Sequence, residues 1–201
     1  MSPGREGPLE NAGRLGDAPA VSDIAPGFLV AVPQMGDPNF ARSVVLMLEH
    51  NDEGALGLVV NRPSSLTLGE VAESQDLTIH PGALGQPVFV GGPVQPERGF
   101  VLHLRDDVPQ SVALVDGLFV SGSTEALTKL IGESVEGWRL CLGFAGWEAG
   151  QLEREIREGA WLTAPATAGR VLGTSPADTW RSVLSDIGVD PAHLVQGGGV
   201  H

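Results

Sequence analysis

The strongest constraint on the fold is an apolar run inside "SVVLMLEH", residues 43–50. Residues 44–48 are all apolar, so this segment has no polar face. Successive side chains of a strand point to opposite faces, and a strand without a polar face must therefore be covered on both sides. The run predicts a strand at the centre of one sheet, with packed layers above and below it.

The residues around this run predict a mixed sheet. The central run is followed by a turn signal, "NDEG" (51–54), and then by a second apolar segment, "ALGLVVN" (55–61). Together they predict a hairpin in the middle of the sheet. The chain carries about seven strand-like segments and about four helical ones in mixed order. Because hairpins alternate with helical crossovers, we expect an α/β fold with a mixed sheet flanked by helices.

Four segments carry helix signals. "TLGE" (67–70) is a capping box, in which the threonine and the glutamate each satisfy a backbone N–H group of the other. Ser123 and Ser175 are the predicted N-caps of two further helices, and Gly188 is the predicted end of the last one. The segment "EAGQLEREIREG" (148–159) has apolar residues on one face and charges on the other, which indicates a surface helix.

The length and composition predict one domain between two tails. A chain of 201 residues suits a single domain of ordinary size. Residues 24–194 hold all the predicted strands and helices. Residues 1–23 are rich in glycine, proline and alanine, and residues 195–201 include three consecutive glycines, so we expect both segments to be flexible tails.

The charge disfavours nucleic acid and anionic membranes as partners. The chain has 12 basic and 25 acidic residues, which gives a net charge of −13. Lys129 is the only lysine, and the arginines are scattered along the chain. Such a surface repels phosphate groups, so we expect no general nucleic-acid binding and no membrane partner.

The cysteine content and the hydropathy predict a cytoplasmic protein. Cys141 is the only cysteine, so an intramolecular disulfide is impossible, and this fits a reducing compartment. Its apolar surroundings, "LCLGF", favour a buried small hydrophobe over a catalytic thiol. No run of 18 apolar residues occurs, and the N-terminal segment lacks the apolar core of a secretory signal.

Established catalytic motifs are missing from the sequence. It contains no H-E-x-x-H, no C-x-x-C, no phosphate-binding or dinucleotide-binding glycine loop and no G-x-S-x-G nucleophile turn. We therefore predict neither a metal nor a cofactor.

Glu49 and His50 end the central strand and allow two interpretations. A glutamate and a histidine together are typical of acid–base pairs and of metal sites. Neighbouring strand residues point to opposite faces, however, so the two side chains do not easily share one target. We favour a polar strand end in which the imidazole of His50 is hydrogen-bonded to a nearby loop.

The segment "GGPVQPERGFVLH" (91–103) is the most distinctive part of the sequence. Its two glycines allow a ligand to approach backbone N–H groups, and its arginine is suited to clamp a carboxylate or a phosphate. The alternative is a purely structural role, with a Gly-Pro turn, an arginine that donates hydrogen bonds to carbonyl groups, and a half-buried histidine whose hydrogen bonds are all made. The predicted ligand-binding residues are His50, Asn61, Gly91, Gly92, Arg98 and His103.

Three long segments together resemble the YqgE/AlgH family of bacterial proteins. They are "GFLVAVPQMGDPNFARSVVLMLEHNDEGALGLVVNRP", "VFVGGPVQPERGFVLH" and "LGFAGWEAGQLEREIREGAWLTAP". The resemblance implies a small cytoplasmic protein with a bent, partly barrel-like mixed sheet flanked by helices. The AlgH name implies a role in transcriptional regulation. The resemblance carries no set of catalytic residues onto this chain.

Two functions fit the sequence. The favoured one is a non-catalytic binding or regulatory protein that holds a small anionic metabolite or a protein partner. Regulation by direct, general DNA binding is disfavoured by the charge and by the lack of a basic helix-turn-helix. The alternative is a hydrolase or transferase in which His50 or His103 is the general base, in a pocket near the Gly-Gly-Pro turn.

Overall fold

The computed structural model describes residues 24–115, 117–133 and 136–195. Its strands are β1 (Gly27–Ala31), β2 (Val44–Asn51), β3 (Gly54–Val59), β4 (Pro63–Thr67), β5 (Pro87–Val90), β6 (Val94–His103), β7 (Val112–Val115), β8 (Leu118–Ser121), β9 (Trp138–Glu148) and β10 (Trp161–Ala164). Its α-helices are α1 (Leu68–Ser74), α2 (Thr124–Glu133), α3 (Gln151–Arg157), α4 (Pro176–Asp186) and α5 (Pro191–Val195).

The predicted tails fall almost entirely outside the described residues. Residues 1–23 and 196–201 are not described, so the flexibility of both tails stays a prediction. Val195, where the C-terminal tail is predicted to begin, is the last residue of α5.

The strands form one curled, mixed sheet. Its order is β10-β1-β2-β3-β9-β6-β8-β7, and β4 joins through β5, which pairs with β9. The pairing of β5 with β9 is parallel, and the other pairings among the described strands are antiparallel. The predicted α/β fold, a single domain with a bent, partly barrel-like sheet flanked by helices, is confirmed.

The strand β2 lies at the centre of the sheet's first half, between β1 and β3. Residues 44–47 have 0% of their surface exposed, so the predicted burial on both faces is confirmed. Val44 and Leu46 pack in the same cluster as Trp180 of α4. Val45 and Met47 point to the other face, where Trp147 belongs to their cluster. The alternating side chains of one strand therefore join two separate cores.

A third core lies under α1 and α2, against the second half of the sheet. Val71 of α1, Leu130 and Ile131 of α2, and Trp138 and Leu140 of β9 belong to it. The strand β9 also contributes Cys141 to the first cluster and Trp147 to the second. This one strand therefore takes part in all three cores.

The predicted helix signals are largely confirmed. Thr67 and Glu70 form the capping box, and α1 ends at Ser74. The hydroxyl of Ser123 accepts from the N–H of Ala126 at 3.1 Å at the start of α2. Gly188, just after α4, has the left-handed φ of +72° that favours glycine, which explains why the helix stops there.

The predicted start of α4, with Ser175 at the N-cap position and Pro176 in the first turn, is confirmed, but the expected capping bond is not formed. The side chain of Ser175 makes no capping hydrogen bond. Its carbonyl oxygen instead accepts from the N–H groups of Asp178 and Thr179, at 2.9 and 3.0 Å. The main chain, with Pro176 in the first turn, therefore starts this helix without help from the hydroxyl.

The predicted helix at 148–159 begins later, because β9 is longer than its sequence signal. Gly54 of β3 pairs with Glu148, and Ala55 pairs with Trp147, so pairing carries the strand to Glu148. The helix α3 begins at Gln151.

Two of the ten described strands had no sequence signal. The strand β4 reads "PSSLT", in which a proline and two serines conceal the pattern of a strand. The strand β7 has four residues and pairs only with β8, at one edge of the sheet. Each of these strands pairs with a neighbour that the sequence did predict, β4 with β5 and β7 with β8.

Candidate functional site

His50 lies at the end of β2 and pairs with a helix. Its side chain is 2% exposed, and its Nε2 atom is 2.8 Å from Oε1 of Glu153 in α3. The predicted partner, a nearby loop, is therefore wrong. The pKa of Glu153 is lowered, first by a hydrogen bond from a backbone N–H and also by the bond to His50. Nδ1 of His50 is buried and has no hydrogen-bond partner among the described residues.

His103 is a satisfied core residue. It has 0% of its surface exposed, and its ring is stacked on Phe119 with centroids 5.6 Å apart. Its Nε2 atom lies 2.9 Å from the hydroxyl of Ser111, and its Nδ1 atom accepts from the N–H of Arg105 at 3.3 Å. Burial lowers the pKa of this imidazole, which favours the neutral ring.

The two histidines lie at opposite ends of β9. His103 is the pairing partner of Trp138, the first residue of that strand. Ala55, which pairs with His50, is itself paired with Trp147 near the other end. A single site that uses both imidazoles, as the enzyme hypothesis allowed, is therefore not formed.

The two predicted ligand-binding glycines pack against the backbone of β9. The N–H of Gly91 donates to the carbonyl of Leu142, and its own carbonyl accepts from the N–H of Val59, each at 2.8 Å. Gly92 has a φ of +156°, and a Cβ atom there would overlap the backbone of Phe144. The predicted anion nest is not formed at Gly91, because its N–H group already belongs to the sheet.

Asn61 is a structural clamp in the loop after β3. Its side-chain oxygen accepts from the N–H of Val44, and its amide nitrogen donates to the carbonyl of Arg42, each at 2.9 Å. Both polar groups of the side chain are thus used to hold the entry to β2.

Arg98 is exposed. Its guanidinium lies 5.0 Å from the ring centre of Phe100 and 5.7 Å from that of Phe144. The carbonyl-bridging role considered for this arginine belongs to Arg62, whose guanidinium donates to the carbonyls of Pro38 and Ala41, among others. The six predicted residues therefore do not line a common hollow, and anion binding near Arg98 stays a prediction.

A cavity among the described residues lies elsewhere, between α1, α2 and the sheet. Its volume is about 400 Å³, within the range of small-molecule sites. Its apolar walls are formed mainly by Leu66, Val71, Leu77, Leu127, Leu140 and Leu142. None of the six residues predicted from the sequence lines it.

One end of this cavity is polar and rich in hydroxyl groups. Ser121, Ser123 and Thr124 line it where β8 leads into α2. The hydroxyls of Ser121 and Ser123 are 3.1 Å apart, and that of Ser121 also accepts from the N–H of Ser123 at 3.2 Å. These groups offer donors and acceptors to a ligand that enters the apolar part of the cavity.

Two glycines keep the floor of the cavity open. A Cβ atom at Gly99 would meet only the side-chain ends of Leu140 and Leu142, at 3.5 and 3.7 Å. A Cβ atom at Gly122 would have no neighbour closer than 3.9 Å. The space above both positions is therefore free because the side chains are missing.

The sequence did not reveal this cavity, because its lining comes from six separate elements. The one local signal was the string "SGST" (121–124), which places hydroxyl groups beside a glycine at a predicted helix start. That signal was interpreted as a helix cap, and the sequence showed no histidine and aspartate partners for Ser121 and Ser123.

The described residues hold no other chemical centre of the kinds considered. No group of three or more histidine, cysteine, aspartate or glutamate side chains in the described part of the chain is placed to hold a metal ion. Cys141 is buried, and burial raises the pKa of its thiol to about 12, so the interpretation as a small buried hydrophobe is confirmed. No helix within the described ranges has the length and the apolar character needed to cross a membrane.

Comparison with known sequences identifies the family. The sequence model of the AlgH-like family matches residues 28–192. A UPF0301 protein of Myxococcus xanthus is 49% identical over 181 residues, which are 90% of this chain and 100% of that protein. A UPF0301 protein of Alcanivorax borkumensis is 46% identical over 165 residues, which are 81% of this chain and 88% of that protein.

Solved structures agree with the sequence match. The solution structure of the AlgH protein from Pseudomonas aeruginosa is similar with a TM-score of 0.72 and 37% identity, and the match covers 92% of this chain and 100% of that one. A crystal structure of a protein from Corynebacterium diphtheriae gives 0.67 and 25%, with 94% and 96% covered. The matched family model and the close relatives together show that the chain belongs to the AlgH-like family.

Proposed function

We propose that this protein is a non-catalytic binding protein whose small ligand occupies the cavity between α1, α2 and the sheet. The observation that carries the proposal is the cavity itself, about 400 Å³ in volume, with apolar walls and a hydroxyl-rich end. An apolar pocket with a few convergent polar groups is the usual form of a small-molecule site.

The lining of the cavity supports binding over catalysis. Among the described residues that form it, there is no histidine, cysteine or lysine. The hydroxyls of Ser121 and Ser123 are hydrogen-bonded to each other, and neither forms a hydrogen bond with a histidine, lysine or carboxylate among the described residues. His50 and His103, the bases considered for a hydrolase or transferase, lie outside it, so the enzyme alternative loses its support.

A regulatory role acting through a protein partner follows from the same proposal. A ligand bound between α1 and α2 would change how these two helices pack on the sheet. A protein partner that contacts this surface would then bind with a different affinity when the ligand is present. A net charge of −13 disfavours direct contact with DNA, so regulation of transcription would be indirect. We propose the cytoplasm as the compartment, because the single cysteine fits a reducing environment.

Filling the cavity tests the proposal. In Gly99→Val the new side chain enters the cavity from a strand position where a Cβ atom is tolerated. We expect small apolar compounds that raise the melting temperature of the wild type to lose this effect in Gly99→Val. Binding should then be measured by NMR chemical-shift changes, which map the compound onto α1 and α2.

Two variants serve as controls for this experiment. Gly146→Val adds the same side chain to β9, where a Cβ atom meets Phe144 at 3.5 Å, outside the cavity. Arg98→Ala removes the residue for which anion binding is predicted. Both should bind the apolar compounds as the wild type does. If no compound binds, or if Gly99→Val binds as well as the wild type, the proposed function is wrong.

A further inference from the structure

We infer that the ligand of the cavity between α1, α2 and the sheet is an apolar molecule that carries one protonated amino group. This inference rests on the proposed function and names the chemical class of the ligand. It replaces, for this cavity, the small anionic metabolite that the sequence predicted.

The charge of the lining favours a cation. Glu97 of β6 is the one charged residue among the described residues that line the cavity. It forms no hydrogen bond or ion pair with any described residue. A ligand ammonium group would give this carboxylate its partner, whereas a ligand carboxylate or phosphate would meet a like charge.

The cationic side chains near the cavity do not line it, and they contact aromatic rings or form ion pairs with other residues. Arg98, next to Glu97 in the chain, lies over the rings of Phe100 and Phe144 and does not line the cavity. Lys129 of α2 is within 3.5 Å of Asp107 and within 3.4 Å of Glu133. No cation in the described lining therefore compensates Glu97 or attracts an anion.

The neutral part of the lining suits an apolar body with a donor at one end. The leucine and valine side chains of the walls take up a hydrocarbon group, which gains free energy by leaving water. The hydroxyl oxygens of Ser121, Ser123 and Thr124 accept hydrogen bonds from N–H groups. An alkyl or arylalkyl amine satisfies both parts, with its ammonium group near Glu97.

Three probes with one apolar body test the charge preference. We choose hexylamine, 1-hexanol and hexanoate at about pH 7.5, where a primary alkylamine is protonated and hexanoate is ionised. Dissociation constants are measured by NMR titration of the full chain. We expect hexylamine to bind most tightly, 1-hexanol less tightly and hexanoate most weakly. Because Glu97 is exposed, we expect Glu97→Gln to weaken hexylamine binding only about threefold to fivefold and to leave 1-hexanol unchanged.

Glu73→Gln is the matched control. Glu73 is an exposed carboxylate of α1, in the same part of the molecule, but it does not line the cavity. This variant removes the same net charge and should leave the affinity for hexylamine unchanged. An equal loss in both variants would assign the effect to overall charge and overturn the inference.

The remaining outcomes separate the inference from the proposed function. If 1-hexanol binds wild type and not Gly99→Val, but hexylamine binds no more tightly, the cavity is a binding site and the amine class is wrong. The same conclusion follows if hexanoate binds most tightly. If none of the probes binds, or if Gly99→Val binds them all unchanged, both proposals are overturned.

Discussion

At the scale of single residues, the carboxylate of Glu155 is the most heavily hydrogen-bonded side chain near His50. Its Oε2 atom accepts from the indole N–H groups of Trp147 and Trp161, each at 2.9 Å, and its Oε1 atom accepts from the amide of Gln151 at 2.9 Å. We expect Glu155→Gln to lower the free energy of unfolding by about 1–3 kcal/mol, because the amide has one acceptor oxygen in place of two and cannot accept from all three donors. Urea unfolding, followed by tryptophan fluorescence, measures the change.

The control for this residue is Glu158→Gln. Glu158 follows α3 directly and is exposed, so its replacement should change the free energy of unfolding by less than about 0.5 kcal/mol. Equal losses in the two variants would mean that the three hydrogen bonds of Glu155 do not contribute to stability.

At the scale of elements, the short helix α1 depends on its capping box. The hydroxyl of Thr67 accepts from the N–H of Glu70 at 3.3 Å, and the carboxylate of Glu70 accepts from the N–H of Thr67 at 2.8 Å. A helix of seven residues has little intrinsic stability, so its cap matters more than in a long helix. We expect Thr67→Ala to destabilise the protein by about 1 kcal/mol.

Hydrogen exchange shows where in the molecule Thr67→Ala lowers stability. Exchange of the backbone N–H groups of α1 should become faster in Thr67→Ala, while the groups of α4, on the other half of the sheet, keep their wild-type rates. A uniform increase in both helices would show that the capping box acts on global stability alone. Because α1 forms one wall of the cavity, local opening of this helix would also weaken ligand binding there.

At the scale of the whole molecule, the buried ring of His103 links stability to pH. Burial lowers its pKa from the ordinary value of 6.5, so below that pH the unfolded chain binds a proton that the folded protein does not. The free energy of unfolding therefore falls as the pH falls through 6.5, by up to about 1.4 kcal/mol per pH unit. Urea unfolding at a series of pH values from about 7.5 to about 5.5 checks this.

Two variants assign the pH effect to this histidine. We expect His103→Gln to be less stable near neutral pH but to show a flatter pH dependence. His193→Gln changes a side chain that is 82% exposed and should keep the wild-type slope. The carboxyl groups of Asp107 and Asp186 have lowered pKa values, so their effects appear at more acidic pH. An unchanged slope in His103→Gln would contradict the assignment.

The features that the sequence predicted correctly are encoded by neighbouring residues. The central position of β2 follows from five adjacent apolar residues, and the cap of α1 follows from a four-residue string. The partner of His50 was missed, because Glu153 lies 103 positions further along the chain. The cavity was missed for the same reason, since strands and helices from separate regions build its lining. Local patterns specify elements, whereas sites depend on contacts that only the folded chain brings together.

The place of β9 in all three cores has a consequence for how the fold came about and how it can change. No part of the described chain forms a self-sufficient half, because each hydrophobic cluster needs side chains from this one strand. We therefore do not expect a truncated relative that lacks one half of the sheet to keep the other half as a folded, functional fragment. New activities are instead expected to arise by substitutions in the loops and in the cavity walls, while the sheet and its three cores are kept.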